Sequence, residues 1–255
     1  MDNLDIIEKI LIEAGKLLEN RFSGVFTYKN KEKFDLVSDV DIEIEQFLIK
    51  KLSKNFPSMS FFSEEIGEIN NNSEQKWIID PLDGTVNFIF GIPYFNISLA
   101  LESKNEIIEG YVYNPINKEF YYSKKSLKKS YLNGKEISVS DTATISESLV
   151  AFGYSSIYKN IEKYYKKWHE IFDHCKKGMG SLSPALNICN VARGRIDCFI
   201  DFGCSMEGQA AGGLILKNAG GIVYNYDLTE WDYKTKGIIA INRNLQEEIE
   251  RINKL

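Results

Sequence analysis

Two carboxylates lie three residues apart where an apolar run in this chain ends. Asp80 and Asp83 follow residues 77–79, Trp-Ile-Ile, and precede Gly84 and Thr85. Because glycine permits turns that other residues resist, we expect a buried strand to end in a sharp turn that gathers both carboxylates near the threonine hydroxyl. Hard oxygen ligands of this kind suit Mg²⁺ or Mn²⁺ and not Zn²⁺. The pattern predicts a divalent-cation site, with a capped turn as the competing interpretation.

Two further acidic segments lie upstream. In the first, Ser38 or Asp39 is the expected N-cap of a helix, and Asp41 falls in its first turn. In the second, a short apolar strand ends at Glu64 and Glu65. Helix capping and a solvated strand end explain each group alone. A shared cation site explains all three groups together, and we favour it.

These segments together resemble the signature of the inositol monophosphatase family, whose members are magnesium-dependent, lithium-sensitive phosphatases. The resemblance covers nearly the whole chain and rests on residues 35–41, 64–65, 77–88 and 210–221. It implies a phosphoric monoester hydrolase with a layered α-β-α-β-α sandwich of the sugar phosphatase type, in the α+β or α/β class. It also implies a homodimer and two to three Mg²⁺ ions, with Mn²⁺ as a possible substitute.

The resemblance implies metal ligands at specific positions. A first ion would be held by Glu64, Asp80, the Leu82 carbonyl and the Thr85 side chain. A second ion would be held by Asp80 and Asp83, with Asp80 bridging the two. Glu64 would also anchor a third ion, which is mostly surrounded by water.

Catalytic residues are implied as well. Asp41 would form a support pair with Thr85 and tune its hydroxyl toward water activation, and Glu64 completes the implied catalytic set. The family has a mobile loop that carries a catalytic lysine. Either Lys29 or Lys31 could supply it, and the sequence does not choose between them.

Substrate contacts are implied at two places. Asp83 and the backbone of Gly84 and Thr85 would contact the substrate, the backbone by binding phosphate at a helix N-terminus, where free N–H groups favour anions. Ser183 and Asp201 would lie on the substrate side.

The chain departs from the family pattern at one metal ligand. The family carries Trp-Asp before its Ala-Ala-Gly helix, whereas Glu207 and Gly208 stand there in this chain. Glycine offers no ligand, but it leaves the backbone permissive. We hypothesise that Glu207, one residue early and one methylene longer, reaches back and replaces the missing aspartate. The alternative is a weakened or absent second metal, and with it a weakly active protein with a regulatory or binding role.

A second departure concerns the substrate. Pro184 lacks an N–H group, so any contact through that donor is lost, although Ser183 as N-cap with Pro184 at the first helical position is also a sound structural arrangement. Asp201 replaces the family's substrate-binding glutamate and is shorter by one methylene. We therefore predict a small sugar- or cyclitol-phosphate monoester, similar to inositol 1-phosphate. Fructose bisphosphate, adenosine 3′,5′-bisphosphate, histidinol phosphate and NADP remain open.

Composition limits the remaining classes. The chain has 255 residues, 44% hydrophobic and 26% charged, and a net charge of −5, which fits a globular protein without a nucleic-acid footprint. It contains no apolar run of about 18 residues, so no membrane span is expected. Its 4 cysteines form no Cys-x-x-Cys pair and only 2 histidines accompany them, which argues against zinc. Free thiols and the absence of a signal-peptide pattern predict a cytoplasmic protein acting on a small phosphorylated metabolite.

Apolar periodicity predicts the elements that position these residues. Helices are predicted near 3–22, 41–54, 158–174, 184–193, 209–218 and 244–254. Strands are predicted at 77–80, 96–102, 107–114, 119–124, 149–152, 197–200, 221–224 and 238–240, with residues 66–76 as a polar loop. The pattern divides the chain into an α+β half with an antiparallel sheet and the metal-binding turn, residues 1–141, and an α/β half, residues 142–255. No linker separates them, so we expect one compact unit.

Overall fold

The computed structural model describes residues 3–32, 35–153, 168–169, 171–180 and 182–253. Most of the helix predicted over residues 158–174 lies outside these ranges. Of that helix, the structure describes residues 168–169 and 171–174, which are helical.

Two long helices form the first layer. Helix α1 spans Asn3–Phe22 and helix α2 spans Asp39–Asn55, close to the predicted bounds. Both bury an apolar stripe spaced at the helical period against the neighbouring sheet. Ser38 caps α2 in a capping box with Asp41, which places that carboxylate at the buried start of the helix. No helix in the described part of the chain is long and apolar enough to cross a membrane.

A hairpin and an eight-stranded sheet follow. The hairpin consists of β1, Tyr28–Glu32, and β2, Asp35–Ser38. The sheet contains β3 Ser60–Ser63, β4 Gly67–Ile69, β5 Gln75–Asp83, β6 Asn96–Ser103, β7 Glu106–Asn114, β8 Glu119–Lys124, β9 Lys129–Leu132 and β10 Lys135–Ile137, in the order β10-β9-β8-β7-β6-β5-β3-β4. Its pairs are antiparallel except β3 with β5, which is parallel. Strand β4 lies in the segment predicted as a loop, so that prediction was wrong there.

A second sheet of five strands lies beyond a layer of helices. Its strands are β11 Leu149–Gly153, β12 Lys177–Gly180, β13 Cys198–Asp201, β14 Ile222–Asn225 and β15 Ile238–Ile241, in the order β12-β11-β13-β15-β14. The short α3, Thr85–Ile89, follows β5; α4, Pro184–Ala192, and α5, Met206–Asn218, lie between the sheets; α6, Gln246–Asn253, packs on the far side. Short 3-10 turns occupy Ile145–Glu147 and Arg243–Leu245. This is the layered α-β-α-β-α sandwich.

Sheet alternation accounts for the two cores on either side of the large sheet. Trp77 and Ile79 face α1 and α2, whereas Ile78 between them faces the central helices. Successive side chains of a strand point to opposite faces, so a continuous apolar run is needed where both faces are buried.

Small residues let α5 lie close to the large sheet. A Cβ placed on Gly110 of β7 would lie 2.7 Å from the Ala211 carbonyl oxygen, and one placed on Gly213 would lie 2.2 Å from the Trp231 ring. The Ala-Ala-Gly-Gly run of α5 therefore fits tightly between strand backbone on one side and an indole ring on the other. This close approach brings the first turn of α5 against β6, where Ser98 Oγ donates a hydrogen bond to the Glu207 carbonyl oxygen.

We predict that Gly110→Ala destabilises the fold, because the added methyl group would overlap backbone that cannot move aside as a side chain would. Overpacking of this kind typically costs about 1–3 kcal/mol. Urea unfolding followed by circular dichroism measures the loss. Gly180→Ala is the matched control, because nothing lies within 4 Å of its Cβ position. Equal unfolding free energies for the two variants would contradict the close-packing account.

Candidate functional site

The two central aspartates lie on one continuous strand. Strand β5 runs on to Asp83, with a bulge between Asp80 and Asp83 where it pairs with β6. The predicted end at Asp80 was therefore wrong, because the bulge absorbs Pro81, which cannot donate a ladder hydrogen bond. The sharp turn comes at Gly84, whose φ is 101° and whose Cβ position lies 3.1 Å from the Tyr94 carbonyl oxygen. Only glycine suits this backbone conformation and this crowding.

Asp80 is buried among other acids. Its Oδ1 accepts a hydrogen bond of 3.1 Å from the Leu82 amide. Burial raises the pKa of Asp80 well above its usual value, and the charges of Glu64, Asp83 and Glu207 raise it further. These acids act on one another through a poorly solvated space, where like charges are most costly to hold without a cation.

Asp83 is also buried, and one of its oxygens is heavily hydrogen-bonded. Oδ2 accepts from Asn96 Nδ2 at 2.5 Å, from Ser183 Oγ at 2.7 Å and from the Ala185 amide at 3.0 Å. Burial raises the pKa of Asp83 to about 7, although these hydrogen bonds oppose the shift. The Ser183 hydroxyl thus serves Asp83. Ser183 occupies the N-cap position of α4 with Pro184 at the start of the helix, as the alternative interpretation expected, but its side chain makes no cap hydrogen bond.

Glu64 lies at the end of β3 beside a lysine. Burial raises the pKa of Glu64 to about 8, while the charge of Lys31 opposes this and that of Glu65 adds to it. Lys31 Nζ lies 3.4 Å from Glu64 Oε1 and 2.7 Å from Glu65 Oε1. Of the two candidate lysines, Lys31 is therefore the one that contacts the acids. Lys29 and Lys31 both line a cavity beside Glu65, but no ion pair joins Lys29 to an acid among the described residues.

Asp41 and Thr85 meet across the site. Thr85 Oγ1 lies 2.9 Å from Asp41 Oδ1 and 3.0 Å from the Leu82 carbonyl oxygen, and its single proton can be donated to one of these two acceptors at a time. The other oxygen of Asp41 accepts from the Ser38 hydroxyl at 2.5 Å and from the Ser38 amide at 2.8 Å. Burial is the main cause of the raised pKa of Asp41. The capping box therefore fixes the carboxylate that faces the threonine.

Glu207 is half-buried in the first turn of α5 and faces the acids. Its charge raises the pKa of both Asp80 and Glu64, and its backbone carbonyl accepts a hydrogen bond of 3.2 Å from Ser98 Oγ. Beside it, a Cβ on Gly208 would meet its nearest neighbour, Cys204 Sγ, at 3.5 Å, an ordinary contact. An aspartate side chain could therefore begin at position 208 without overlap.

The Asp201 carboxylate is hydrogen-bonded to the backbone two residues further along the chain. Its Oδ1 accepts from the Gly203 amide at 2.8 Å, and a Cβ on Gly153 would lie 1.9 Å from its Oδ2. Burial raises its pKa to about 6. In this structure the carboxylate stabilises the turn after β13. This is a capping role and not a substrate contact.

The side chains grouped here are of the type that binds a hard cation, because they present carboxylate and hydroxyl oxygens. Among the described residues, no group of three His, Cys, Asp or Glu side chains is close enough together to hold a metal ion as it stands. The carboxylates nevertheless lie close enough to raise one another's pKa, and Lys31 is the cationic side chain that pairs with Glu64 among the described residues. Oxygen donors with uncompensated negative charge are what Mg²⁺ and Mn²⁺ bind.

Sequence reasoning missed Asn96. It stands directly opposite Asp83 in the β5–β6 ladder and is fully buried. An available signal was its polar side chain at the start of an apolar strand beside the acidic turn, because buried amides need a specific partner.

Comparisons with known proteins agree over the full length. The profile of the Inositol monophosphatase family matches residues 2–254. A fructose-1,6-bisphosphatase/inositol-1-monophosphatase of Thermotoga maritima is 32% identical, covering 99% of this chain and 96% of that protein. Inositol monophosphatase 3 of Solanum lycopersicum is 31% identical, covering 96% and 93%. The crystal structure of extragenic suppressor protein suhB from Bartonella henselae superimposes with a TM-score of 0.94 at 29% identity, covering 100% and 99%.

The raised acid pKa values predict how stability depends on pH when no metal is present. A carboxylate whose pKa is higher in the folded than in the unfolded protein stabilises the fold on protonation, so stability is lost as pH rises through the folded value. Since burial raises the pKa of Asp83 to about 7 and that of Glu64 to about 8, unfolding free energy in EDTA should fall from about pH 5 to about pH 8 and level off above it. Asp80→Asn should raise it at pH 8 by at least about 1 kcal/mol and flatten the fall.

Chemical denaturation across this pH range measures both effects. Glu74→Gln, at an exposed position just before β5, is the control and should keep the wild-type slope. An unchanged slope in Asp80→Asn would show that the acids do not repel one another as the geometry indicates.

Proposed function

Because the chain belongs to the inositol monophosphatase family and is a phosphoric monoester hydrolase, we propose that it transfers phosphate from a small sugar- or cyclitol-phosphate monoester to water with Mg²⁺ as cofactor. The observation that carries this proposal is the meeting of the Asp41–Thr85 pair with the buried carboxylates of Asp80 and Asp83 and the half-buried carboxylate of Glu64. A hydroxyl held by a carboxylate, beside oxygen ligands for a cation, is suited to phosphoryl transfer.

We assign the cation to the grouped acids. Glu64, Asp80, Thr85 and the Leu82 carbonyl would hold one ion, Asp80, Asp83 and Glu207 a second, and Glu64 a third. Bound Mg²⁺ would neutralise phosphate charge and stabilise the leaving alkoxide. The burial of Asp80 and Asp83 supports the assignment, since desolvated acids close together have a strong electrostatic demand for a cation.

The protein's own groups would orient the water. Thr85 Oγ1 donates its proton toward Asp41, which leaves its lone pairs to accept a hydrogen bond from the attacking water. Ser38 holds Asp41 in place through the capping box. Backbone amides at Gly84 and Thr85, at the turn into α3, would hold the phosphate while the water attacks in line.

Substrate preference would depend on the α4 side of the site. Pro184 offers no amide there, and Asp201 is engaged with Gly203. Contacts to the alcohol part of the substrate are therefore reduced relative to the family pattern. The named activities of the Thermotoga maritima relative make inositol 1-phosphate and fructose 1,6-bisphosphate the first substrates to compare.

A regulatory or binding role is the second candidate function. Gly208 favours it, because it removes a ligand from the second metal position, and the Bartonella henselae neighbour bears the name of a suppressor protein. The acids at 64, 80 and 83 and the hydroxyl at 85 oppose it, because a site free of selection would be expected to lose several of them.

We also propose a cytoplasmic homodimer that binds neither nucleic acid nor membrane. Phe90, Ile92, Met179 and Leu182 expose 68%, 47%, 46% and 38% of their surface, which gives apolar area that a second copy would cover. All four cysteines are free thiols, as in a reducing compartment.

The proposed function predicts Mg²⁺- or Mn²⁺-dependent phosphate release. Purified protein should hydrolyse at least one of inositol 1-phosphate, fructose 1,6-bisphosphate, adenosine 3′,5′-bisphosphate, histidinol phosphate and NADP, and Li⁺ should inhibit the reaction. Asp83→Asn should lower kcat/KM by about 10²-fold or more, because it removes a charged ligand. Phosphate release is measured colorimetrically, with Glu74→Gln as the matched control.

No metal-dependent release on any of these substrates would favour the regulatory function. Release that Asp83→Asn leaves unchanged would contradict the site assignment instead.

The replacement of the missing ligand by Glu207 is tested by a pair of substitutions. Glu207→Ala should lower kcat/KM by about 10²-fold and raise the Mg²⁺ concentration needed for half-maximal rate. Adding Gly208→Asp to that variant should recover much of the loss, because a Cβ at 208 meets only ordinary contacts. Glu230→Ala, an exposed glutamate far from the acids in sequence, is the control. An unchanged rate and metal dependence in Glu207→Ala would show that Glu207 does not fill this role.

A further inference from the structure

Asn96 touches no expected substrate group, yet it contacts the carboxylate of Asp83 directly. We propose that Asn96 is a positioning residue, which locks one oxygen of Asp83 so that the other is presented to the cation. This inference rests on the proposed function, since it concerns the same site. Asn96 begins β6 and is the direct ladder partner of Asp83 across the bulge of β5.

Three donors converge on a single carboxylate oxygen. Asn96 Nδ2 lies 2.5 Å, Ser183 Oγ 2.7 Å and the Ala185 amide 3.0 Å from Asp83 Oδ2. Asn96 Nδ2 also lies 2.9 Å from Ser183 Oγ, so it braces a second donor as well as Asp83 itself. These three hydrogen bonds all end on Oδ2, and the Leu186 backbone amide is a further donor to the same carboxylate. With Oδ2 held in this way the carboxylate cannot rotate, and Oδ1 is the oxygen that it would present to an ion.

The orientation of the Asn96 amide supports this role. A carboxylate oxygen only accepts, so the amide must turn its NH₂ group toward Asp83. Its own Oδ1 is then buried without a hydrogen-bond partner in the described part of the chain. A buried acceptor left unpaired is unfavourable. An asparagine retained only for packing would gain nothing from this arrangement, whereas a positioning residue is explained by it.

The contacts also explain how α4 is tied to the metal side of the site. Asp83, distant in the chain, takes the place of an N-cap side chain for α4, because Ser183 makes no cap hydrogen bond of its own. Asn96 joins the strand to this helix start through Asp83 and Ser183 together. Loss of Asn96 should therefore loosen Asp83 without removing a ligand.

Metal binding by the full-length protein tests the inference. Mn²⁺ binding to metal-free protein is measured by calorimetric titration. Asn96→Ala should raise the Mn²⁺ dissociation constant by about tenfold or more, and Asp83→Asn should abolish binding. The Mg²⁺ concentration for half-maximal phosphatase rate should rise in parallel, while kcat at saturating Mg²⁺ changes much less. A merely structural role would lower the active fraction and leave the metal dependence where it was.

Asn114→Ala is the matched control, because Asn114 is also a fully buried asparagine of the same sheet with one unpaired side-chain atom. It should bind Mn²⁺ as the wild type does. Asn96→Leu keeps the branched shape and the number of side-chain heavy atoms and provides a second variant if Asn96→Ala does not fold. It should weaken Mn²⁺ binding in the same way.

Wild-type Mn²⁺ affinity in a folded Asn96 variant, or an equal shift in Asn114→Ala, would overturn the positioning role and leave the proposed function standing. A wild-type protein that binds no Mn²⁺ and needs no metal for phosphate release would overturn both.

Discussion

The repulsion among buried carboxylates is the constraint on which the rest of this site depends. Asp80 lies fully buried within the field of Glu64, Asp83 and Glu207, and each of these charges raises its pKa. A fold that places acids together in this way gives up stability in its metal-free form. It keeps them together because strands and helices, which are set by the cores on both sides, fix the backbone at each position. Stability of the layers thus maintains a site that is itself unfavourable.

The close packing of α5 is the means by which the second half of the chain reaches this site. Gly110 and Gly213 allow the helix to lie against strand backbone and Trp231, and its first turn then carries Glu207 to the acids. A larger residue in the Ala-Ala-Gly-Gly run would move that turn outward. The small residues of the motif are therefore as necessary for the geometry of the site as the acids are for its charge.

The sequence predicted the site residues whose positions depend on a single helix start or strand end. The acids and the Ser38 cap follow from helix starts and strand ends. The Asp41–Thr85 pair was implied by the family resemblance, and the structure places the two side chains in contact. What failed depended on pairing between strands: the continuation of β5 through its bulge, strand β4, and the role of Asn96, which exists only because β6 lies opposite Asp83. Register between distant strands is not encoded in either strand alone.

The departure at Pro184 separates the chemistry of the site from its selectivity. The amide that holds Asp83 belongs to Ala185, and the hydroxyl that joins it belongs to Ser183, so a proline between them removes no donor from Asp83. Proline at the first helical position is also compatible with α4. Its missing N–H group therefore leaves the hydrogen bonds from Ser183 and Ala185 to Asp83 intact, so a proline at this position sets the start of α4 without loosening the acid.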